Sequence, residues 1–220
     1  MKNKNTTEYI VLISIFASVL SVPILNSVNP EFLINVYCPE DGPIENLTVF
    51  ALLCGAVVCL KRLLKLKSNK QPLFLLVTLF FFLMFLFGAG EEVSWGQRIF
   101  NIESPEFFKK FNEQGETNIH NLAFGGIEVN IVVFSKMLGI ILCAYIFILP
   151  YLYRKKQQVK EIVDSFGIPL PMPYQGISII VLFILTDHIF PSTCELLELG
   201  GSFLLVLMVA YPYNREIFQP

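Results

Sequence analysis

Apolar runs long enough to cross a membrane constrain this chain more than any other feature of its sequence. A helix needs roughly 20 mostly apolar residues to cross the hydrocarbon core of a bilayer, which is about 30 Å thick. Six runs reach or approach that length, over residues 9–28, 44–60, 73–90, 129–153, 176–190 and 196–213. We therefore predict an all-α polytopic membrane protein, in which residues 1–220 form a single integral membrane domain with about six transmembrane helices.

The composition agrees with a membrane-embedded chain. Hydrophobic residues make up 54% of the sequence and charged residues only 15%, whereas a soluble domain carries about 25% charged residues. The 21 Phe and 8 Tyr exclude a disordered chain. A net charge of -2 argues against nucleic acid as a partner. The partner that the composition predicts is the lipid bilayer.

The basic residues predict the orientation of the helices, because Lys and Arg collect in cytoplasmic loops. Twelve of the 16 Lys and Arg precede the first run, follow the sixth, or lie in the second-to-third and fourth-to-fifth connections. Acidic residues dominate the alternate loops, over residues 31–45 and 91–116. Both termini are therefore predicted to be cytoplasmic.

The first run has an alternative interpretation as a secretory signal peptide. Lys2 and Lys4 precede it, as basic residues precede the apolar region of such a peptide. Ala17 and Ser18 do not form a clean small-x-small cleavage site. We therefore expect an uncleaved helix.

Two of the five cysteines, Cys38 and Cys194, fall in predicted outer loops. An outer compartment is oxidising, so these thiols could form a bridge between the first loop and the start of the sixth helix. A sequence gives no Cα separation, and two unrelated loop thiols are the simpler expectation. Cys54, Cys59 and Cys143 fall in helices, where we expect them to pack as small apolar groups.

The outer loop over residues 91–126 carries most of the polar groups that could perform chemistry. Glu91 and Glu92 directly follow the Phe-rich third run, so the helix places two carboxylates at the membrane boundary. Ionisable groups at that depth are costly and are usually kept for function, and we predict both as catalytic residues, one of them a general base. A polar helix end in water is the alternative.

Three residues further along the loop are predicted to bind substrate: Trp95, Gln97 and Arg98. The guanidinium fork of Arg98 matches a phosphate or carboxylate group. A simpler role for Arg98 is an ion pair with Glu91 or Glu92. Trp95, the single tryptophan, is also typical of an interfacial anchor.

A short amphipathic helix is predicted next in the loop. Ser104 suits the N-cap and Pro105 the first helical position. Phe107, Phe108 and Phe111 then share one face, as in a helix that lies in the membrane interface.

The chain has only two histidines, and an acidic residue lies within four positions before each of them. Glu116 and His120 are spaced i, i+4, which places them on one face of a helix. His188 directly follows Asp187 at the end of the fifth run, near Glu195 and Glu198. Ser192 and Glu195 also fit a capping box.

From these positions we predict His120 and His188 as catalytic residues. The predicted ligands of a divalent metal such as zinc are His120, His188, Glu116 and Asp187, with a remaining Glu to activate water. A metal-free acid–base pair and a structural hydrogen-bond network are the alternatives.

Two resemblances bear on these residues. The stretch GEEVSWGQRIF, followed by NEQGETNIHN, resembles a signature of uncharacterised bacterial multi-pass membrane proteins, which implies the bacterial inner (plasma) membrane but no activity. The loop is also similar to intramembrane proteases of the CAAX-processing and bacteriocin-processing family, which carry Glu-Glu-x-x-x-Arg, Phe-x-x-x-His and a last His-containing helix. Here Arg98 comes two residues late, and Glu116 stands at the Phe position.

The sequence therefore predicts a membrane-embedded hydrolase or transferase. Its substrate would be lipid-linked or a membrane peptide at the outer leaflet, with metal assistance as one version. The alternative is a non-enzymatic partner subunit, sensor or assembly factor that docks through its acidic outer face. A third hypothesis is a small transporter that uses Lys136 and Glu128 in the fourth run as an intramembrane pair.

Overall fold

The computed structural model describes residues 6–39, 41–190 and 194–219, so Lys2, Lys4, Glu40 and Ser192 lie outside the described residues. The described chain is predominantly helical, as predicted. The main helices are α1 (Thr6–Val28), α2 (Pro43–Leu66), α3 (Pro72–Glu92), α4 (Glu106–Phe111), α5 (Asn130–Lys155), α6 (Gln157–Phe166), α7 (Pro173–Ile189) and α8 (Leu196–Ala210).

Short elements connect these helices. Helical turns cover Pro30–Phe32, Leu33–Tyr37 and Gln97–Phe100, and tighter 3₁₀ turns cover Ser94–Gly96 and Arg215–Phe218. A two-residue hairpin pairs β1 (Ala123–Phe124) with β2 (Ile127–Glu128) in antiparallel register. Parts of α5 and α7 are wound as wide π-helical turns, over Asn130–Met137, Ala144–Ile148 and Ile184–Ile189.

Four of the described helices are long and apolar enough to span a membrane: α1, α2, α3 and α5. The other two apolar helices are shorter. At 1.5 Å per residue, α7 spans roughly 25 Å and α8 roughly 22 Å. Helix α7 begins at Pro173, within the proline-rich stretch before the predicted run, and α8 ends at Ala210 rather than at residue 213.

Helix α8 lies at the centre of the packing. One buried cluster joins α8 to α1 and α7, and a second joins it to α2 and α3. At the α7 contact, a Cβ built on Gly200 would lie 2.6 Å from the Leu182 side chain, so a larger residue would require that side chain to move. Lipid tails are as apolar as the helices, so close packing of this kind holds membrane helices together.

Buried amides fix one end of the bundle. Gln175 is fully buried, accepts the Met172 N–H at 2.8 Å and donates to the Leu207 carbonyl at 3.2 Å. Asn214 accepts the Leu170 N–H at 3.0 Å and donates to the Ile168 carbonyl at 2.9 Å. These bonds tie the C-terminal segment and α8 to the start of α7.

A disulfide fixes the opposite end. Cys38 and Cys194 are bonded, with their Cα atoms 4.6 Å apart. The expectation of two unrelated thiols is therefore wrong, because the folded chain brings together two loops that are 156 residues apart. Of the free cysteines, Cys59 is buried and Cys143 is exposed.

Three local predictions differ from the structure. The Ser104 side chain does not cap α4; it is buried and accepts a hydrogen bond from Gln97 instead. Glu116 and His120 lie in an irregular segment rather than on one helix. Glu128 lies in β2, before α5 begins, so it does not accompany Lys136 in that helix.

The disulfide predicts a thiol count. We expect Ellman titration of the purified, denatured and unreduced protein to find three free thiols among its five cysteines. The C38S/C194S variant should lose about 2–4 kcal/mol of unfolding free energy, because the open chain gains loop entropy when unfolded. The C143S variant is the control and should retain its stability, since Cys143 is exposed. Five reactive thiols in the wild type would contradict the pairing.

Candidate functional site

Arg98 is the centre of the candidate site. Its guanidinium lies 2.9 Å from Asp41, 2.8 Å from Glu45 and 2.9 Å from Glu116. It also donates to the backbone carbonyl of Glu92 at 3.4 Å. These contacts join the first loop, the start of α2 and the outer loop. Arg98 therefore forms ion pairs, as the simpler prediction held, but with carboxylates other than the expected Glu91 and Glu92 side chains.

The environment of Arg98 favours its charged form. Burial lowers the pKa of the guanidinium, but the carboxylates of Glu116, Glu45 and Asp41 outweigh that effect and raise the pKa overall. Glu45 and Glu116 are themselves largely buried, with side chains only 9% and 15% exposed. The cation thus offsets the repulsion between these two carboxylates.

A left-handed turn at the end of α3 places Arg98 in that position. Ser94, Trp95 and Gly96 have φ angles of 45°, 55° and 79°. For a residue other than glycine this conformation costs roughly 1–2 kcal/mol. The Ser94 hydroxyl helps to hold the turn, because it donates to Glu116 and accepts from Asn118 at 2.9 Å. A Cβ on Gly90 would lie 2.9 Å from the Trp95 ring, so glycine is needed where the turn folds back.

Glu91 fastens the outer loop to the end of α3. Its buried carboxylate accepts the Trp95 indole N–H at 2.7 Å, the Ile119 N–H at 2.6 Å and the His120 N–H at 3.1 Å. It also lies 3.5 Å from Nδ1 of His120. Glu91 and His120 therefore meet, as a catalytic pair requires. Most of the contacts of Glu91, however, hold the backbone of the loop.

Amide side chains fix the rest of the outer loop, and the sequence reasoning missed several of them. Asn112 donates to the Asn118 side chain at 2.7 Å and accepts the Glu116 N–H at 3.0 Å. Gln97, predicted to bind substrate, donates to Ser104 at 2.7 Å and accepts the Thr117 N–H at 2.6 Å. The density of Asn, Gln, Ser and Thr in this loop was the available signal, but spacing alone does not reveal which amides pair.

An acidic cluster lies beside this loop. Ligand-type oxygens of Glu92, Glu195 and Glu198 all lie within 4.8 Å of one another, where the C-terminus of α3 meets the start of α8. His120 interacts electrostatically with Glu198. Three carboxylates at this distance repel one another unless a proton or a cation is shared between them. Glu195 and Glu198 both lie near His188 in the sequence, but neither is among the predicted metal ligands.

The predicted metal ligands do not gather. Within the parts of the chain that the structure describes, no three of His120, His188, Glu116 and Asp187 are close enough to share an ion. Glu116 instead contacts Arg98. His188 pairs with Asp187 at 3.0 Å on an exposed surface and lies against the Phe183 ring. The described side chains therefore do not assemble the predicted set of four ligands, and the group close enough to hold a cation is the acidic cluster.

No protein-family model, curated protein sequence or solved structure matches the chain. The functional assignment therefore depends on the geometry of these residues.

The Arg98 network predicts a large loss of stability on substitution. We expect R98M to lower the unfolding free energy by about 2–4 kcal/mol, because Glu45 and Glu116 would remain buried without their cation. R98K should recover only part of the loss, since an ammonium group cannot reproduce the guanidinium fork. Unfolding of the detergent-solubilised protein, followed by the fluorescence of Trp95, provides the measurement.

The matched control is an exposed ion pair in the same loop. Lys109 lies 3.0 Å from Glu103, with side chains 46% and 89% exposed. The K109M variant should leave the unfolding free energy almost unchanged, as is typical of surface pairs. Equal effects of R98M and K109M would show that the Arg98 network does not support the fold.

Proposed function

We propose that the chain is a bacterial inner-membrane hydrolase or transferase that acts at the outer leaflet. Its substrate would be a lipid-linked molecule or a membrane peptide, as the sequence predicts. The observation that carries the proposal is the meeting of His120 with Glu91, beside the acidic cluster of Glu92, Glu195 and Glu198. The similarity of the loop to intramembrane proteases agrees with this reaction class.

The proposal includes six membrane spans with both termini in the cytoplasm. The segregation of charge between the two ends of the bundle supports this topology. At one end, Arg62 packs over the Phe218 ring at 4.0 Å, and the Tyr153 and Tyr213 rings lie 6.3 Å apart. The basic connections and the C-terminal segment therefore share that end. The disulfide and the Arg98 network lie at the opposite end of the bundle. An even number of spans agrees with this arrangement, because it returns the C-terminal segment to the side of the basic connections.

The topology is tested with reporter fusions. We expect alkaline phosphatase fused after residue 116 to be active, because that position would be extracytoplasmic, and green fluorescent protein fused after Pro220 to fluoresce in the cytoplasm. A phosphatase fusion after residue 68 is the matched control and should be inactive. The same sidedness at residues 68 and 116 would contradict the six-span arrangement.

In the proposed reaction His120 is the general acid–base group. Glu91 contacts Nδ1 of the imidazole, and a carboxylate in that position fixes the orientation of a catalytic histidine. The imidazole would accept a proton as water or an acceptor hydroxyl attacks the scissile bond, and would return it to the leaving group. Glu91 is then a positioning residue rather than the predicted general base.

A divalent cation is the cofactor that the acidic cluster would accept. Glu92, Glu195 and Glu198 offer carboxylate oxygens, and oxygen donors suit Mg²⁺, Ca²⁺ and Mn²⁺ better than zinc, which prefers nitrogen and sulfur. Such an ion would stabilise negative charge that develops on the substrate. In this version the bound metal would be one of these cations rather than the zinc that the sequence suggests. Glu92 would then be a metal ligand rather than a general base.

Turnover by proteoliposomes tests the proposal. The probes are a polyprenyl pyrophosphate, assayed by phosphate release, and a fluorogenic peptide with a single membrane span. We expect the wild type to cleave one of them and H120Q to be slower by roughly 10²–10⁴-fold, the usual contribution of general acid–base catalysis. E91Q should shift the pH–rate profile, because the imidazole loses its carboxylate partner.

One further variant serves as a control for turnover, and a second variant tests the cofactor. E106Q alters an acid at the start of α4 that is not a member of the acidic cluster, and should retain wild-type turnover. Removal of metal with EDTA, followed by Mn²⁺ or Zn²⁺, tests the cofactor, and E198Q should abolish any recovery. Full turnover by H120Q would refute its catalytic role, and an inactive wild type would contradict the proposed substrate classes.

The second candidate function is a non-enzymatic partner subunit, sensor or assembly factor. One observation favours it: Glu91, Gln97 and Arg98, three of the residues predicted from the sequence, are engaged in contacts that order the outer loop. In this alternative the ordered loop would belong to the acidic outer face through which the protein docks. Co-purification of a stable partner, with an E91Q/E92Q variant that still binds it, would support this function over catalysis.

A further inference from the structure

We propose that the turn over residues 95–102 is inserted among the lipid acyl chains of the outer leaflet. This turn, here called the outer turn, follows α3 directly and precedes α4. The inference requires that α3 spans the membrane. It does not require any catalytic activity, so it stands or fails separately from the proposed reaction.

The outer turn exposes an unusual amount of apolar surface for a loop. Trp95, Ile99, Phe100 and Ile102 are 53%, 70%, 71% and 59% exposed. Contiguous apolar patches on a protein surface mark contact with a membrane or another protein. Large apolar side chains of this kind would be costly to leave in water, so the turn requires an apolar partner.

The charge within the outer turn is directed away from this apolar surface. Arg98 is the only charged residue between positions 95 and 102, and its guanidinium is bound by Asp41, Glu45 and Glu116. An uncompensated arginine would oppose insertion into hydrocarbon. The ion pairs hold the guanidinium against the first loop, α2 and the later part of the outer loop, while Ile99 and Phe100, which follow it in sequence, remain exposed.

Several backbone N–H groups of the turn are paired within the protein, which lowers the cost of placing them in a lipid environment. The Gly96 N–H donates to the Val93 carbonyl at 2.8 Å, and the Ile102 N–H donates to the Gln97 carbonyl at 3.0 Å. The Asn101 N–H also bonds to the Gln97 carbonyl. The Gln97 side chain is engaged by Ser104 and Thr117.

Continuity with α3 identifies lipid, rather than a protein, as the occupant. Trp95 packs edge-on against Phe87 of α3, with ring centroids 5.8 Å apart. Phe87 and Leu83 are exposed on that helix and would face lipid wherever α3 spans the membrane. The apolar surface of the outer turn therefore extends a surface that already faces acyl chains. A second copy of the chain or another protein is the competing occupant.

Tryptophan fluorescence tests the proposal, because Trp95 is the only tryptophan of the chain. We would reconstitute the full-length protein into phosphatidylcholine nanodiscs that contain lipids brominated at defined acyl carbons. We expect these lipids to quench Trp95, and aqueous iodide to have little effect. A W95F/F100W variant should also be quenched, at a depth of roughly 5–10 Å below the head groups, as found for inserted amphipathic segments.

The control variant, W95F/E161W, carries its tryptophan on an exposed position of α6. Iodide should quench this tryptophan, and brominated lipids should not. Iodide quenching of Trp95 and of F100W to the level of the control would place the turn in water and overturn the proposal. Protection from both quenchers, with crosslinking of the turn to a second protein, would equally overturn it, because the occupant would then not be lipid.

Discussion

The ion pairs of Arg98 are the interaction on which one end of the helix bundle depends. One guanidinium forms ion pairs with carboxylates from the first loop, the start of α2 and the outer loop. Without it, Glu45 and Glu116 would repel each other in a poorly solvated place, and breaking buried ion pairs in this way is strongly destabilising. The Glu91–His120 contact lies where the end of α3 meets the loop that this cation anchors.

The helices were predictable from the sequence because a single physical quantity, the length of an apolar run, determines them. Four runs became membrane-length helices, and the two shorter runs became α7 and α8. The outer loop was less predictable. The i, i+4 spacing of Glu116 and His120 indicated a helix, but side-chain bonds from Asn112, Ser94 and Glu91 hold that segment in an irregular conformation. Tertiary contacts of this kind leave no periodic pattern in a sequence.

The candidate site was predicted in part. Glu91 and His120 do meet, and Glu92 lies in the acidic cluster. His188 and Asp187 were selected because histidine is scarce, yet they pair with each other on an exposed surface. The scarcity of histidine draws attention to residues capable of chemistry. The distance between His188 and the rest of the candidate site, however, depends on where α7 ends relative to α8. The same limit applied to Cys38 and Cys194, whose Cα atoms approach only once the bundle has formed.

The disulfide has a further consequence for the order of biogenesis. Cys194 directly precedes α8, the final apolar helix, while Cys38 lies shortly after α1, the first. The two sulfurs can meet only after nearly the whole polypeptide has been synthesised and α8 has packed against α1. Oxidation would then close a covalent loop that contains the intervening helices. The bond then limits how far α1 and α8 can separate if the packing between the helices weakens.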